Sequence, residues 1–299
     1  MNHPFPSASR RARANPLQEA HLPSEAPTPA SLLLSAGSWR GRLVRALRPA
    51  SFILLASLLC AQTGSLESLL ATMRKQVQTA DFRVTGQLVW VQPDGARLNY
   101  PITIKAHWFP GVLRERVDLG QPAAAHREMR EHILLEMRPD GEDTVRIAEP
   151  GDTAPRLLPF AQWSAHPLVP GFDFEDLLDQ QFFWPGQLSE GSTKFGARTC
   201  ILVRSTPGPG DHTRYAQVRT WIDPSIDFAV YMEKTLREGG AVKEFTYFGL
   251  RHDEGVWSAR QIGIKLRGQS GSVLLIVDRG SAHARLTAAD FSPAGLTRF

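Results

Sequence analysis

Residues 81–108 read DFRVTGQLVWVQPDGARLNYPITIKAHW, and this stretch decides the fold. Phe82, Val84, Leu88 and Trp90 share one phase, with Arg83, Thr85 and Gln87 on the other; further on, Tyr100, Ile102, Ile104, Ala106 and Trp108 alternate with Asn99, Thr103, Lys105 and His107. A period of two sends successive side chains to opposite faces of a strand. Between the two runs, Pro93-Asp94-Gly95 supplies a preset φ, a side-chain acceptor and a residue that tolerates positive φ. The three together predict an antiparallel hairpin. A second turn of the same composition, Pro139-Asp140-Gly141, follows the apolar run around Leu135.

The alternation continues downstream. Runs at 113–119, 133–137, 145–148, 199–204, 216–222, 228–236, 242–248, 256–266 and 273–278 read as strands. Turn signals separate them at Gly208-Pro209-Gly210, Asp223-Pro224, Gly239-Gly240, Asp253-Glu254-Gly255 and Gly268 to Gly271. With the opening pair this makes about eleven strands, none at the spacing of a βαβ unit. The expected fold class is mainly β with a few helices: an incomplete, unclosed antiparallel β-barrel or strongly curved sheet. Upstream, Leu66, Leu69, Leu70, Met73 and Val77 recur at helical spacing behind a candidate N-cap at Ser65. Residues 150–190 break the β pattern. There Asp173 is placed to cap a short helix through about Gln181, and Phe172, Phe174, Leu177, Leu178 and Phe182 make the connection unusually apolar, so something apolar must receive it.

Charge divides the chain. The formal charge is +4, yet residues 1–61 contain seven Arg and two Glu, so the excess is confined to the start and the remainder is close to neutral. Arg40, Arg42, Arg45 and Arg48 precede an uncharged apolar stretch at 50–61. That stretch is too short for a membrane span of about 20 residues and has the shape of a secretory signal. Cleavage is expected after Ala61, leaving a domain at 62–299 in the periplasm; lipidation at Cys60 is the minority alternative, because bulky Leu59 precedes it. Residues 1–39 are rich in Pro, Ser, Ala and Arg without periodicity, which suggests translation starting near Leu43 or Val44. A near-neutral mature chain without a basic stripe argues against nucleic acid.

Catalytic and metal signatures are missing from the sequence. Its histidines form no His-x-x-x-His pair, the carboxylates have no metal-loop spacing, and Gly268-Gln269-Ser270-Gly271 lacks the spacing of a nucleophile elbow. Asp173, Glu175, Asp176 and Asp179 read as a solvated helix face, and Cys200, within an apolar run, reads as a packing residue. No catalytic residue, cofactor or metal is expected. The aromatic residues on the apolar strand phase point instead to an interior that side chains fill or that a ligand enters.

Several stretches carry a resemblance: Asp81-Phe82-Arg83-Val84-Thr85-Gly86, Phe172-Asp173-Phe174-Glu175-Asp176-Leu177, Gly196-Ala197-Arg198-Thr199-Cys200-Ile201-Leu202, residues 215–223, residues 240–245 and the closing Asp290-Phe291-Ser292-Pro293. In order and spacing the chain resembles the LolA/LolB-like superfamily, in particular the bacterial outer membrane lipoprotein-sorting proteins. The resemblance implies an unclosed barrel with a helical plug around an apolar cavity. It also implies a monomeric, non-enzymatic carrier that shields the acyl chains of lipids or lipoproteins and hands them to a membrane receptor. On this reading Leu88, Trp90, Tyr100, Ile102, Ile104 and Trp108 line the cavity, and Phe172, Phe174, Leu177, Leu178 and Phe182 form the lid over it. A periplasmic sensor of the same fold, with a protein or envelope-stress ligand, is the alternative, ahead of an enzyme or a purely structural protein.

Overall fold

The computed structural model describes residues 66–122, 128–139 and 142–299. The expected signal at 50–61, the Ala61 cleavage point, Cys60, Ser65 and the turn residues Asp140 and Gly141 lie outside the described residues. Helix α1 covers 66–78. Its apolar stripe buries Leu69, Leu70 and Met73 against Val203, Ile222 and Ala229, as the helical spacing requires.

Strands follow almost without interruption: β1 Asp81–Val91, β2 Arg97–Phe109, β3 Val112–Gly120, β4 Met129–Met137, β5 Thr144–Ala148 and β6 Arg156–Leu158, then β7 Gly186–Phe195, β8 Arg198–Thr206, β9 Tyr215–Asp223 and β10 Phe228–Leu236, and last β11 Val242–Phe248, β12 Arg251–Asp253, β13 Val256–Ser258, β14 Gln261–Leu266 and β15 Ser272–Ser281. Thirteen form one sheet in the order β6-β5-β4-β3-β2-β1-β15-β14-β11-β10-β9-β8-β7, and β12 and β13 make a separate hairpin. Neighbours pair antiparallel and the sheet does not close on itself. The fold is therefore the mainly β, unclosed antiparallel architecture that the alternation implies.

Four strands exceed the expected eleven, for identifiable reasons. β6 and β12 are three residues each, too short to display a period. β7 is a sheet edge whose residues are half-buried or exposed, so it lacks an apolar phase. The run at 256–266 divides because Arg260 donates to the Phe248 carbonyl and accepts from the Val277 amide, which turns β14 into the sheet after β13 has paired with β12.

A turn and a strand irregularity illustrate how local chemistry sets the register. Gly239 and Gly240 take φ of +71° and +64° in the four-residue turn at 237–240, which Leu236 closes by donating its amide to the Ala241 carbonyl; glycine enters that left-handed region without strain. Gly86 sits at the register shift between β1 and β15. A Cβ there would lie 1.9 Å from the Ile276 carbonyl oxygen, on backbone that cannot move aside alone. Gly86→Ala should lower unfolding free energy by about 1–3 kcal/mol, the range for overpacking, read as a drop in urea midpoint without a change in m.

β6 and β7 are consecutive in the chain yet form opposite edges of the sheet. The segment joining them, residues 159–185, must therefore cross the face of the sheet. It does so as a strap: a 3-10 turn at Phe160–Ala165, the short helix α2 at Phe174–Leu177 and a second 3-10 turn at Gln180–Phe182. The helix expected to reach Gln181 ends early because Leu178 turns extended and buries itself in the core. Trp163, Phe172, Phe174, Leu178 and Trp184 pack on the sheet's apolar face with Leu88, Ile102, Ile104, Val117 and Phe245. No described helix is long and apolar enough to cross a membrane.

Candidate functional site

Where α1 and the strap part company, the apolar face is left uncovered by side chains. A cavity of about 650 Å³ lies there. The C-terminal half of α1 contributes Met73, Gln76 and Val77, with Thr79 just beyond its end; β1 contributes Phe82 and Val84, and β3 contributes Leu113 and Glu115. The strap adds Leu177, Asp179 and Phe182, while Tyr247, Ile262 and Val277 come from β11, β14 and β15. The β12–β13 hairpin, with Val256 and Trp257, forms the remaining wall. Most of these side chains are apolar because each strand presents its core phase inward.

The framework around the cavity is fastened by polar contacts. Arg74 Nε donates to the Phe182 carbonyl at 2.8 Å, tying α1 to the strap, and Gln76 Nε2 donates to the Asp227 carbonyl at 2.7 Å, tying it to the β9–β10 turn. At the far wall, Glu254 accepts the Ala282 amide at 2.7 Å, holding the hairpin against the end of β15.

One wall residue breaks the apolar pattern. Glu115 stands on β3 in the same phase as Leu113, Val117 and Leu119, paired across to Ala106 on β2 and Leu135 on β4. It is only 5% exposed. Burial, reinforced by the neighbouring negative charge of Asp179, pushes its carboxyl up to about 8. The same two causes raise the Tyr247 hydroxyl well above its ordinary value.

Beside the cavity, the acidic run of the strap meets the sheet. Asp173, Glu175 and Asp176 are buried, not solvated as the sequence suggested. The reason lies on the facing strands: Lys234 and Lys243 are directly opposed across β10 and β11, and both point inward. Two adjacent buried ammonium groups need counter-charge. Lys243 Nζ reaches Asp173 at 2.9 Å and Asp176 at 2.8 Å; Arg214 pairs with Asp173 and, at 2.7 Å, with Glu175. Tyr215 donates its hydroxyl to Asp176, and Lys234 Nζ donates to the Glu175 carbonyl at 3.2 Å. Burial alone would raise the Asp176 carboxyl; the charges of Lys243 and Lys234 and the hydrogen bonds from Lys243 and Tyr215 outweigh it and hold the group below its ordinary value.

The residues singled out from sequence divide between core and cavity. Leu88, Tyr100, Ile102 and Ile104 belong to the packed core, with Trp90 and Trp108 against its edge. None of these six borders the cavity. The strap fills the space above them; Trp108, for example, stacks on Phe183 at 6.1 Å between ring centres. Of the five lid residues, Leu177 and Phe182 border the cavity, and Phe172, Phe174 and Leu178 are buried in core. Sequence reasoning missed Glu115, Lys234 and Lys243. The signal was available: each is a charged residue on the apolar phase of its own strand. Cys200 is buried as a packing residue, as expected.

No family model matches the sequence, and no curated protein matches it. The fold, however, has clear counterparts among solved structures. A domain from Vibrio parahaemolyticus described as outer membrane lipoprotein-sorting superposes with a TM-score of 0.68 at 16% identity, covering 78% of this chain and 100% of that one. A DUF1329 family protein from Desulfovibrio piger gives 0.66 at 13% identity, covering 77% and 98%. A LolA superfamily protein from Nitrosomonas europaea gives 0.56 at 15% identity, covering 76% and 97%. At these identities the likeness shows the fold: the chain has the LolA-like architecture.

Proposed function

We propose that this chain is a non-catalytic carrier in the periplasm, sheltering the acyl chain of a lipid or lipoprotein during outer-membrane lipoprotein sorting. On this reading residues 1–61 are an export leader removed after Ala61, residues 62–299 act as one monomeric lipid-binding domain, and a membrane receptor takes the cargo. The observation that carries the reading is the cavity of about 650 Å³ with mostly apolar walls, enclosed by α1, the strap and a hairpin. Its volume falls within the range of about 300–1,000 Å³ usual for small-molecule sites. Each buried methylene contributes about 0.8 kcal/mol, so a chain of about sixteen carbons gains on the order of 12 kcal/mol before ordering costs. Affinity of that size needs no covalent step, and it calls for a partner or a movement at release.

The test is organic extraction and mass spectrometry of protein purified from the periplasm without detergent. Near-stoichiometric acyl lipid is expected, and Val277→Trp, which fills the cavity from β15, should reduce it several-fold while leaving the circular dichroism spectrum unchanged. Protein that carries no lipid and binds no acyl probe would sink the carrier reading in favour of a regulatory binding module.

A further inference from the structure

We propose that the Glu115 carboxyl is the polar anchor of the cavity, meeting the ester or amide carbonyl of an acyl amphiphile whose tail lies along the apolar wall. The inference rests on the carrier reading and specifies the chemistry of its ligand. Glu115 is 95% buried by residue, since only 5% of its surface is exposed, and it borders the cavity. Among the described residues, no side chain hydrogen-bonds or ion-pairs with it. A buried carboxyl without a partner costs free energy unless something fills its hydrogen-bonding capacity. Nothing in the packing of β3 requires the group: its cross-strand neighbours Ala106 and Leu135 are apolar.

The other carboxylates of the wall have their own partners. From β1, Asp81 accepts the amides of Arg285 and Leu286 and pairs with His107. From the hairpin, Asp253 pairs with Arg251, and Glu254 accepts the Ala282 amide. From the strap, Asp179 accepts from Gln181 at 3.1 Å, with the charge of the buried Lys234 close by. β11 supplies the Tyr247 hydroxyl, and α1 with the turn after it supplies only the uncharged polar groups of Gln76 and Thr79. Among the carboxylates of the wall, Glu115 alone is left to face the empty volume.

Its protonation then decides what it recognises. Burial and the adjacent Asp179 keep Glu115 un-ionised until about pH 8. In that form it offers an O–H donor, which matches a neutral carbonyl acceptor. An ammonium group would need the ionised form, which Asp179 opposes. No histidine contributes to the wall, and Tyr247 is raised far above this range, so Glu115 is the wall group that titrates near pH 8.

A fluorescent long-chain acyl ester, titrated into the wild-type chain from about pH 6 to about pH 9.5, tests this around the Glu115 transition near 8. Wild-type affinity should fall about ten-fold or more as pH rises through that transition, because ionisation removes the donor and places a charge against the tail. Glu115→Gln keeps a donor without a titrating proton and should bind with a flat pH profile. Glu115→Leu should bind about five- to ten-fold more weakly than wild type at the acidic end, also without pH dependence. If Glu115→Leu fails to fold, the wild-type and glutamine profiles decide. A flat wild-type profile with equal affinities overturns the anchor and leaves the carrier reading intact. Wild-type binding that strengthens above the transition also overturns it, because an ionised carboxylate has no proton to donate to the ester carbonyl. No binding by any form at any pH removes both.

Discussion

Lys243→Met should destabilise the fold by about 3–5 kcal/mol, the scale on which removing one partner of a buried ion pair leaves its counter-charge stranded. Lys243 neutralises two strap carboxylates at once, Asp173 at 2.9 Å and Asp176 at 2.8 Å. Arg214 remains for Asp173 in the variant, so the loss concentrates on Asp176, which keeps the Tyr215 hydroxyl, the Asp173 amide and the more distant charge of Lys234. A methionine of similar reach preserves the packing against Tyr215, which separates charge from volume. Urea unfolding followed by tryptophan fluorescence measures the effect; a loss below about 1 kcal/mol would show that the network is solvated.

The same network dictates an acid limb. Asp176 is held below its unfolded value near 3.8, so its contribution is fully present above that pH and disappears as pH falls through the lower folded value. Lys243→Met should weaken this acid dependence along with overall stability.

Phe174→Ala should cost about 3–5 kcal/mol through lost burial and the cavity left behind. Phe174 is fully buried at the centre of the strap. Its ring meets Trp163 edge-on at 6.0 Å and lies stacked on His166 at 6.3 Å. Trp163 is in turn fixed by donating its indole N–H to the Leu158 carbonyl at 3.0 Å, so it cannot swing into the vacated space without breaking a buried hydrogen bond. Chemical denaturation measures the loss, and near-ultraviolet circular dichroism should show Trp163 losing its fixed environment. Retention of both signals would mean that the strap repacks freely, and its role in fixing the sheet would have to be abandoned.

The sheet was legible because alternation is a local property: Phe82 to Trp90 and Tyr100 to Trp108 declare their phases without reference to anything distant. The strap was half legible. Its aromatic content required an apolar receiver, and residues 172–182 do lie on one; its course across the sheet follows from the pairing order, which no local pattern reveals. The cavity was the least legible feature. Ile102 and Ile104 have the composition of a ligand wall, yet whether such a wall faces a ligand or Trp163 and Phe174 depends on what crosses above it. Asp173, Glu175 and Asp176 looked solvated because their partners Arg214 and Lys243 are about 40 and 70 residues away. What could have corrected this is phase: Lys234 follows Met232 at a spacing of two, and Glu115 follows Leu113.

The pairing of β1 with β15 has a kinetic meaning. Apart from the β1–β15 pair and the β11–β14 step over the small hairpin, neighbouring strands in the sheet are also consecutive in the chain, so two meanders, β1–β6 and β7–β15, can each zip from short turns. Only the seam between β1 and β15 joins residues separated by nearly the whole described chain, as in Leu88 opposite Leu275. The entropy of closing so long a loop grows only logarithmically with its length, and it is incurred once, at this seam. Gly86, whose missing Cβ lets the two backbones approach there, thus stands where the halves of the molecule must find each other.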